Sequence, residues 1–132
     1  MICHIDEMGL GEDFIGFGVD KVDTTEKSIL ARYGPDMVRK NILFEDTIFK
    51  SDLMGCEWLL GKYLVIIHKS GNSWTYADSF EFTDDTKTAL TKKTTTSLQV
   101  GEATDMVKMS DSRVYLSSGS NKKDPHRLMD IN

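Results

Sequence analysis

The sequence lacks a long apolar run. No window of its 132 residues approaches the ~18 consecutive apolar residues of a membrane-spanning helix. It also lacks an N-terminal basic region followed by an apolar stretch, so we expect no secretory signal. Apolar residues still make up 39% of the chain, which argues against wholesale disorder. We therefore expect one folded domain over residues 1–132, cytoplasmic and not bound to a membrane.

Cysteine and histidine are also scarce. Cys3 and Cys56 are the only two cysteines, and neither belongs to a CxxC motif. Two such isolated cysteines predict a pair of reduced thiols. A zinc site needs about four ligands, and the residues that could join Cys3 and His4, namely Cys56, His68 and His126, are scattered without ligand spacing. We expect neither a metal nor another cofactor.

Residues 8–20 contain four glycines but no phosphate-binding motif. Gly9 and Gly11 are followed by Phe14, where a GxGxxG motif needs its third glycine, and no GK[ST] follows. The apolar residues between the glycines indicate a strand instead.

Residues 83–97 are rich in threonine and lysine, which favours an exposed edge strand. A nucleic-acid site would need more arginine and interleaved aromatic residues. We therefore expect no nucleic acid to bind here.

Residues 62–83 predict a β-hairpin around which the rest of the chain is organised. Its first strand contains residues 64–67 (LVII), a short β-branched run typical of a strand buried on both faces. Gly71 and Asn72 accept positive φ and predict the turn. In the second strand aromatic residues alternate with small or polar ones, so we expect one buried face and one wet face. The buried face would hold Trp74, Tyr76, Phe80 and Phe82.

Asp78 falls on this aromatic face and has two interpretations. At an edge or a bulge it would reach solvent or a backbone donor. Alternatively, it is a buried carboxylate with a partner and a function. His68 lies on the other strand, about as far from the turn as Asp78 does. His68 and Asp78, with Glu81 nearby, are therefore the candidate acid–base residues if the protein is an enzyme.

Asp23 to Tyr33 predicts a helix of about three turns. Asp23 and Glu26 have the spacing of a capping box, and a Gly-Pro pair follows the segment. An apolar stripe recurs at helical spacing, formed by Ile29, Leu30 and Tyr33.

Two shorter helices are also compatible with the sequence, one over residues 36–40 and one from Ala103. The remaining apolar segments favour strands. The expected fold class is α+β, an antiparallel sheet with one or two short helices packed on one face.

Acidic residues are concentrated at the start of the chain. Residues 1–36 carry eight acids and three bases, which accounts for the whole net charge of −5. Such a surface repels nucleic acid and anionic membranes and attracts a basic protein. The candidate partner-binding residues are Glu12, Asp13, Asp20 and Asp23. The alternative is a solvated face that only aids solubility.

Residues 15–18 (IGFG) and 98–101 (LQVG) each read as two apolar residues in alternation, then glycine, then a capped helix. This pattern resembles SmpA-like and β-lactamase-inhibitor-like modules and small bacterial toxin-immunity proteins. The resemblance implies a small antiparallel sheet with helices on one face. It also implies a module that inhibits another protein without catalytic residues of its own.

The expected function is that of an immunity protein. It would bind a cognate bacterial toxin, a basic nuclease domain, and occlude the active site of that toxin with its carboxylates. Two alternatives stay open. One is a small enzyme with a site near His68 and Asp78. The other is a non-catalytic adaptor that binds through a groove or an edge strand.

Overall fold

The described part of the chain is almost entirely antiparallel β-sheet. Its residues form eleven strands in three sheets, one 3-10 turn at Asp6–Met8 and no α-helix. The structure is a computed structural model. It describes residues 1–22, 25–46, 53–69, 75–97, 103–118 and 126–130.

Each sheet is a meander whose strands pair in sequence order. Sheet I contains β1 (Ile2–Cys3), β2 (Phe14–Val22), β3 (Thr25–Tyr33) and β4 (Arg39–Asp46). Sheet II contains β5 (Leu53–Leu59), β6 (Tyr63–Lys69), β7 (Thr75–Phe82) and β8 (Leu90–Ser97). Sheet III contains β9 (Ala103–Ser110), β10 (Arg113–Ser118) and β11 (His126–Asp130).

Sheet II is the middle layer, and its inner strands β6 and β7 are buried on both faces. One face packs against sheet I in a core that includes Trp58, Leu64, Ile66 and Phe80 of sheet II with Cys3, Met8, Leu10, Ile15, Leu30 and Leu43 from the sheet I side. The other face packs against sheet III through Leu59, Val65, Ile67 and Ala77, which meet Val114 and Leu116.

The continuous apolar run of β6 follows from this position. Leu64 and Ile66 enter the core with sheet I, whereas Val65 and Ile67 enter the core with sheet III. Successive side chains of a strand point to opposite faces, so a strand between two layers needs apolar residues at every position. The prediction of a strand buried on both faces is confirmed.

The predicted alternation of β7 is confirmed, but its second face is not wet. Phe80 packs toward sheet I, while Ala77 is buried against sheet III. Thr75 and Ser79 on the same face as Ala77 are buried too. Sheet III therefore covers the face that we expected to meet water. The predicted turn and Trp74 lie outside the described residues.

The α+β prediction is wrong, because the segment expected to form the main helix is β3. Ile29 and Leu30 were assigned to one helical stripe, yet Leu30 enters the core and Ile29 points to the other face of sheet I. Both are buried, because β3 is an inner strand of its sheet. The capping residue Asp23 lies outside the described residues.

The shorter predicted helices are absent from the described residues as well. Residues 34–38 form a tight turn in which the Gly34 and Met37 amides donate to the carbonyls of Val38 and Gly34 at 3.0 Å. The segment from Ala103 is strand β9. The helices implied by the resemblance to inhibitor modules are therefore not observed in the described part of the fold.

The prediction of two reduced thiols is also wrong. Cys3 of β1 and Cys56 of β5 form a disulfide with a Cα–Cα distance of 6.2 Å. The bond joins sheets I and II next to their shared core, and it closes a sequence separation of 53 residues. A cross-link of this kind restricts the unfolded chain and so stabilises the stack.

Polar contacts hold sheet III to sheet II. The Lys108 ammonium donates to the Trp58 carbonyl at 2.9 Å. The Leu60 amide donates to the Asp111 carbonyl at 2.7 Å, which joins the β5–β6 turn to the β9–β10 turn. Within the described residues, no helix is long and apolar enough to cross a membrane.

Candidate functional site

Five connecting segments meet at one end of the three-sheet stack. Every second turn of a meander falls at the same edge, because strand direction reverses at each turn. We call this end the acidic end. Its segments are residues 4–13, 34–38, 60–62, 83–89 and 111–112.

Hydrogen bonds between layers show that these segments share one end. The Arg32 guanidinium, at the end of β3, donates to the Thr86 carbonyl at 3.1 Å. The Lys87 ammonium donates to the carbonyl of Met8, which ties the β7–β8 loop to the first segment. The bond between Leu60 and Asp111 makes the same link between sheets II and III.

The segments of the acidic end carry eight acidic residues and two lysines, and the side chains of Arg32, Lys40 and Lys108 reach Asp13 and Asp111 from the adjacent strands. Seven of the carboxylates are exposed and the eighth, Asp13, is buried. The two lysines are Lys62 and Lys87, and the ammonium of Lys87 is held by the Met8 carbonyl. The exposed carboxylates are those of Asp6, Glu7, Glu12, Asp36, Asp84, Asp85 and Asp111.

An open cleft of about 250 Å³ lies within this end, where the β5–β6 turn meets the β7–β8 loop. Trp58 and Phe82 form its apolar wall, with ring centroids 6.0 Å apart. Carboxylates and lysines form its rim, so a ligand would meet aromatic surface inside and charge outside. The rim residues include Glu81, Asp84, Asp85, Lys62 and Lys87.

The loop beside the cleft is held in shape by Asp84. Its carboxylate accepts hydrogen bonds from the Thr88 amide at 3.0 Å and the Thr88 hydroxyl at 2.6 Å. These bonds hold the pKa of Asp84 below its ordinary value, so the group is charged at neutral pH. Asp85, next in sequence, is exposed at the rim.

The three predicted partner-binding residues that the structure describes do not form one patch. Glu12 is exposed at the acidic end, and Asp13 lies beside it but is buried. Asp20 lies within β2, where Arg39 of β4 donates to its carboxylate at 3.0 Å. Asp23 is outside the described residues. Among the three that the structure describes, Glu12 alone is an exposed carboxylate of the acidic end.

Asp13 anchors the acidic end from inside. Its carboxylate accepts a hydrogen bond from Lys40 Nζ at 3.0 Å and one from Arg32 Nε at 2.8 Å. The hydrogen bonds from Lys40 and then Arg32 lower the pKa of Asp13. Because Arg32 also reaches the Thr86 carbonyl, this cluster joins sheet I to the β7–β8 loop.

His68 and Asp78 are adjacent, as the enzyme hypothesis required. His68 Nε2 lies 2.9 Å from Asp78 Oδ2, and the Thr95 hydroxyl donates to the other carboxylate oxygen at 2.6 Å. Asp78 is only 1% exposed, so the interpretation as a buried carboxylate with a partner is confirmed. Burial acts to raise the pKa of Asp78, but the hydrogen bonds from His68 and Thr95 outweigh it and the pKa is lowered.

This cluster spans three strands of sheet II on the face toward sheet I. His68 belongs to β6, Asp78 to β7 and Thr95 to β8, and Asp78 pairs in register with Thr95. The cleft at the acidic end is lined by neither His68 nor Asp78. The contacts of this cluster join the two inner strands of sheet II to the edge strand β8.

Sequence reasoning missed the carboxylates of the later loops. Asp36, Asp84, Asp85 and Asp111 are distant from Glu12 in sequence, and they share its end of the molecule only because alternate turns of a meander do. The available signal was an acid in four of the five alternate turns. The helix assigned to β3 hid it, because a helix there breaks the alternation.

Comparison with known proteins adds no relative. No family model matches the chain, and no curated protein or solved structure matches it either.

Proposed function

We propose that this protein is a non-catalytic binding module that captures a basic protein partner with its acidic end. The observation that carries this proposal is the set of seven exposed carboxylates on four of the five segments at one end. An interface of this sign attracts lysine- and arginine-rich surfaces and speeds their association. The partner class we favour is a basic toxin domain that the module neutralises by covering its active site.

The cleft supplies aromatic surface, which can provide binding energy that charge alone does not. Exposed ion pairs contribute little to binding energy, and most of that energy comes from a few buried aromatic or arginine contacts. Phe82 provides half-buried aromatic surface in the cleft, with the almost fully buried Trp58 packed against it, and Asp85 lies on the rim. An arginine of the partner would fit this combination, because its guanidinium stacks on aromatic rings and pairs with a carboxylate.

The disulfide is informative about the cellular compartment in which the module works. The sequence led us to expect a cytoplasmic protein, but disulfides persist mainly in oxidising compartments. The bond between Cys3 and Cys56 therefore favours an oxidising compartment over the cytoplasm. Mass spectrometry of the protein taken from its native cells, with free thiols blocked at lysis, would distinguish the two.

The binding proposal is tested by capture and inhibition. The immobilised chain is exposed at low salt to a lysate of its source organism, and bound proteins are identified and assayed with and without the chain. We expect a basic protein whose activity falls when the chain is added. The double variant Glu12→Gln/Asp85→Asn should weaken its binding.

A matched variant separates local charge from net charge. Glu26→Gln/Glu45→Gln removes the same two charges from β3 and β4, away from the acidic end. We expect this control to bind almost as well as the original chain. Equal weakening by both pairs would contradict the acidic end as the binding surface. Capture of proteins with no basic bias would contradict the proposal as a whole.

A further inference from the structure

Six of the described residues have a positive φ, and all six lie in segments of the acidic end. Three are glycines, for which this conformation carries no steric cost. The other three are Met37, Leu60 and Lys87, with φ of 67°, 54° and 57°. A residue with a Cβ adopts this left-handed conformation only at an energetic cost. These three residues therefore require an explanation.

The fold itself explains Lys87. Its ammonium donates a hydrogen bond to the carbonyl of Met8 and lies 5.6 Å from the centroid of the Phe82 ring. The side chain thus joins the β7–β8 loop to the first segment of the acidic end. Met37 and Leu60 need another explanation, because their apolar side chains make no such link.

Met37 lies in a turn that its side chain does not help to close. The Met37 amide donates to the Gly34 carbonyl at 3.0 Å, and Asp36 Oδ1 accepts a hydrogen bond from the Val38 amide at 3.1 Å. Asparagine or glycine is the usual residue at a turn position with positive φ. The side chain of Met37 is 66% exposed and that of Val38 is 58% exposed. Neither belongs to the two cores formed by the described residues.

Leu60 occupies a similar position between β5 and β6. The Lys62 amide donates to the Leu59 carbonyl at 3.1 Å, and the two residues between them, Leu60 and Gly61, both have positive φ. Asn-Gly is the pair that such turns favour. The Leu60 amide is held by the Asp111 carbonyl at 2.7 Å, but its side chain is 38% exposed and lies outside both cores of the described residues.

Both apolar side chains have acidic neighbours. Asp36 precedes Met37, and Asp111 is bonded to the backbone of Leu60; both carboxylates are exposed. Cations in and beside these turns are already in contact with other groups: Arg32 and Lys40 with Asp13, Arg39 with Asp20, Lys62 with the Tyr63 ring and Lys108 with Asp111. A second copy of this end, or a nucleic acid, would bring further negative charge and be repelled. The surroundings favour a basic surface that has apolar side chains of its own.

We propose that Met37 and Leu60 are the apolar anchors with which the acidic end holds its basic partner, and that the contact surface of this partner combines basic with apolar side chains. This inference rests on the proposed function. Charge speeds association, whereas a few desolvated apolar contacts slow dissociation. Methionine suits such a contact, because its flexible thioether adapts to irregular surfaces. The backbone cost at both positions is retained because asparagine there would remove the contact.

An asparagine variant tests stability and binding together. Asparagine accepts positive φ, so Met37→Asn/Leu60→Asn should raise the melting temperature by about 5 °C. Met37→Ala/Leu60→Ala removes the same apolar contacts without this gain in stability. Both double variants should bind a basic partner more weakly. Val19→Asn is the control, since Val19 is 56% exposed but lies in β2, away from the acidic end.

Two synthetic peptides of equal length and charge serve as probes. One alternates lysine with serine and the other alternates lysine with leucine, and fluorescence anisotropy gives each dissociation constant. The original chain and Val19→Asn should bind the lysine–leucine peptide about tenfold more tightly than the lysine–serine peptide. In both double variants this preference should fall below about twofold. A preference that survives in both double variants would overturn the role of Met37 and Leu60.

A charge variant distinguishes this inference from the proposed function. Glu12→Gln/Asp85→Asn should weaken the binding of both peptides equally and leave the preference for leucine intact. If it does so while the Met37 and Leu60 variants also keep that preference, the acidic end remains a binding surface and its apolar anchors are wrong. If it weakens neither peptide, the proposed function fails. Sedimentation velocity tests a different occupant: a dimer that Met37→Asn/Leu60→Asn dissociates would place a second copy on these side chains and overturn the inference.

Discussion

The middle of sheet II and the acidic end both hold carboxylates, and they use them in opposite ways. Asp78 is buried in sheet II and accepts a 2.6 Å hydrogen bond from Thr95, with His68 at 2.9 Å. Asp85 is exposed at the rim of the cleft. A carboxylate of the first kind holds strands together, and one of the second kind is available to a partner. Burial and pairing, rather than the number of acids, decide which carboxylates form a binding surface.

The largest loss of stability is expected from removing the cross-link inside the stack. Cys3→Ala/Cys56→Ala opens a loop that closes 53 residues of sequence separation, and we expect it to lower the free energy of unfolding by about 4 kcal/mol. Urea unfolding measures this loss. Capture of the basic partner should survive in the folded fraction. A loss below about 1 kcal/mol would show that the sheets do not depend on the bond.

The second largest loss of stability is expected at Asp78, the buried kind of carboxylate. Asp78→Asn keeps the shape of the side chain but removes its charge between His68 and Thr95. We expect a loss of about 2 kcal/mol, which is typical of buried hydrogen bonds to a charged group. Partner binding should stay unchanged once folding is allowed for. A variant as stable as the original chain would mean that the cluster is not a structural link.

At low pH, protonation should remove the contribution that the interior carboxylates make to the stability of the fold. The pKa values of Asp13 and Asp78 are lowered in the folded chain from the ordinary 3.8, so the unfolded chain takes up protons first as pH falls. Their contribution to stability is complete above about pH 5 and is lost as the pH falls through the folded-state pKa values. Melting temperatures between pH 7 and pH 3 should fall less steeply in Asp78→Asn than in the original chain. If melting temperature falls equally steeply with pH in the variant and in the original chain, Asp78 is not a source of this pH dependence.

The smallest effect on stability is expected at the acidic end. Asp85→Asn changes an exposed carboxylate at the rim of the cleft, and we expect the free energy of unfolding to change by less than about 0.5 kcal/mol. Its capture of the basic partner should nevertheless weaken, and more so at low salt. A large loss of stability here would remove the contrast with Asp78.

The hairpin of sheet II was predictable because the pattern of apolar residues in its sequence matches the burial of its strands. The run at residues 64–67 has no polar position, which only a strand buried on both faces requires. The adjacency of His68 and Asp78 followed from the same register. The burial of the opposite face of β7 was not predictable, because it depends on sheet III, which is distant in sequence.

The main error arose from β3, where local signals favoured the wrong structure. Ile29 and Leu30 fit a helical stripe as adjacent residues, and Glu26 fits a capping box. The same apolar pair fits an inner strand whose two faces are both covered, and tertiary packing decides between the two. The acidic end was missed for the same reason, since the directions of the later strands follow from β3 being a strand.

The meander layout has a consequence for the order of folding. Every strand pairing in the described sheets joins neighbours along the chain, so hairpins can form early and quickly from local contacts. The sheets must then pack together, and Cys3 and Cys56 can meet only after sheets I and II have packed. Oxidation should therefore be a late event that traps layers already assembled rather than one that guides their assembly.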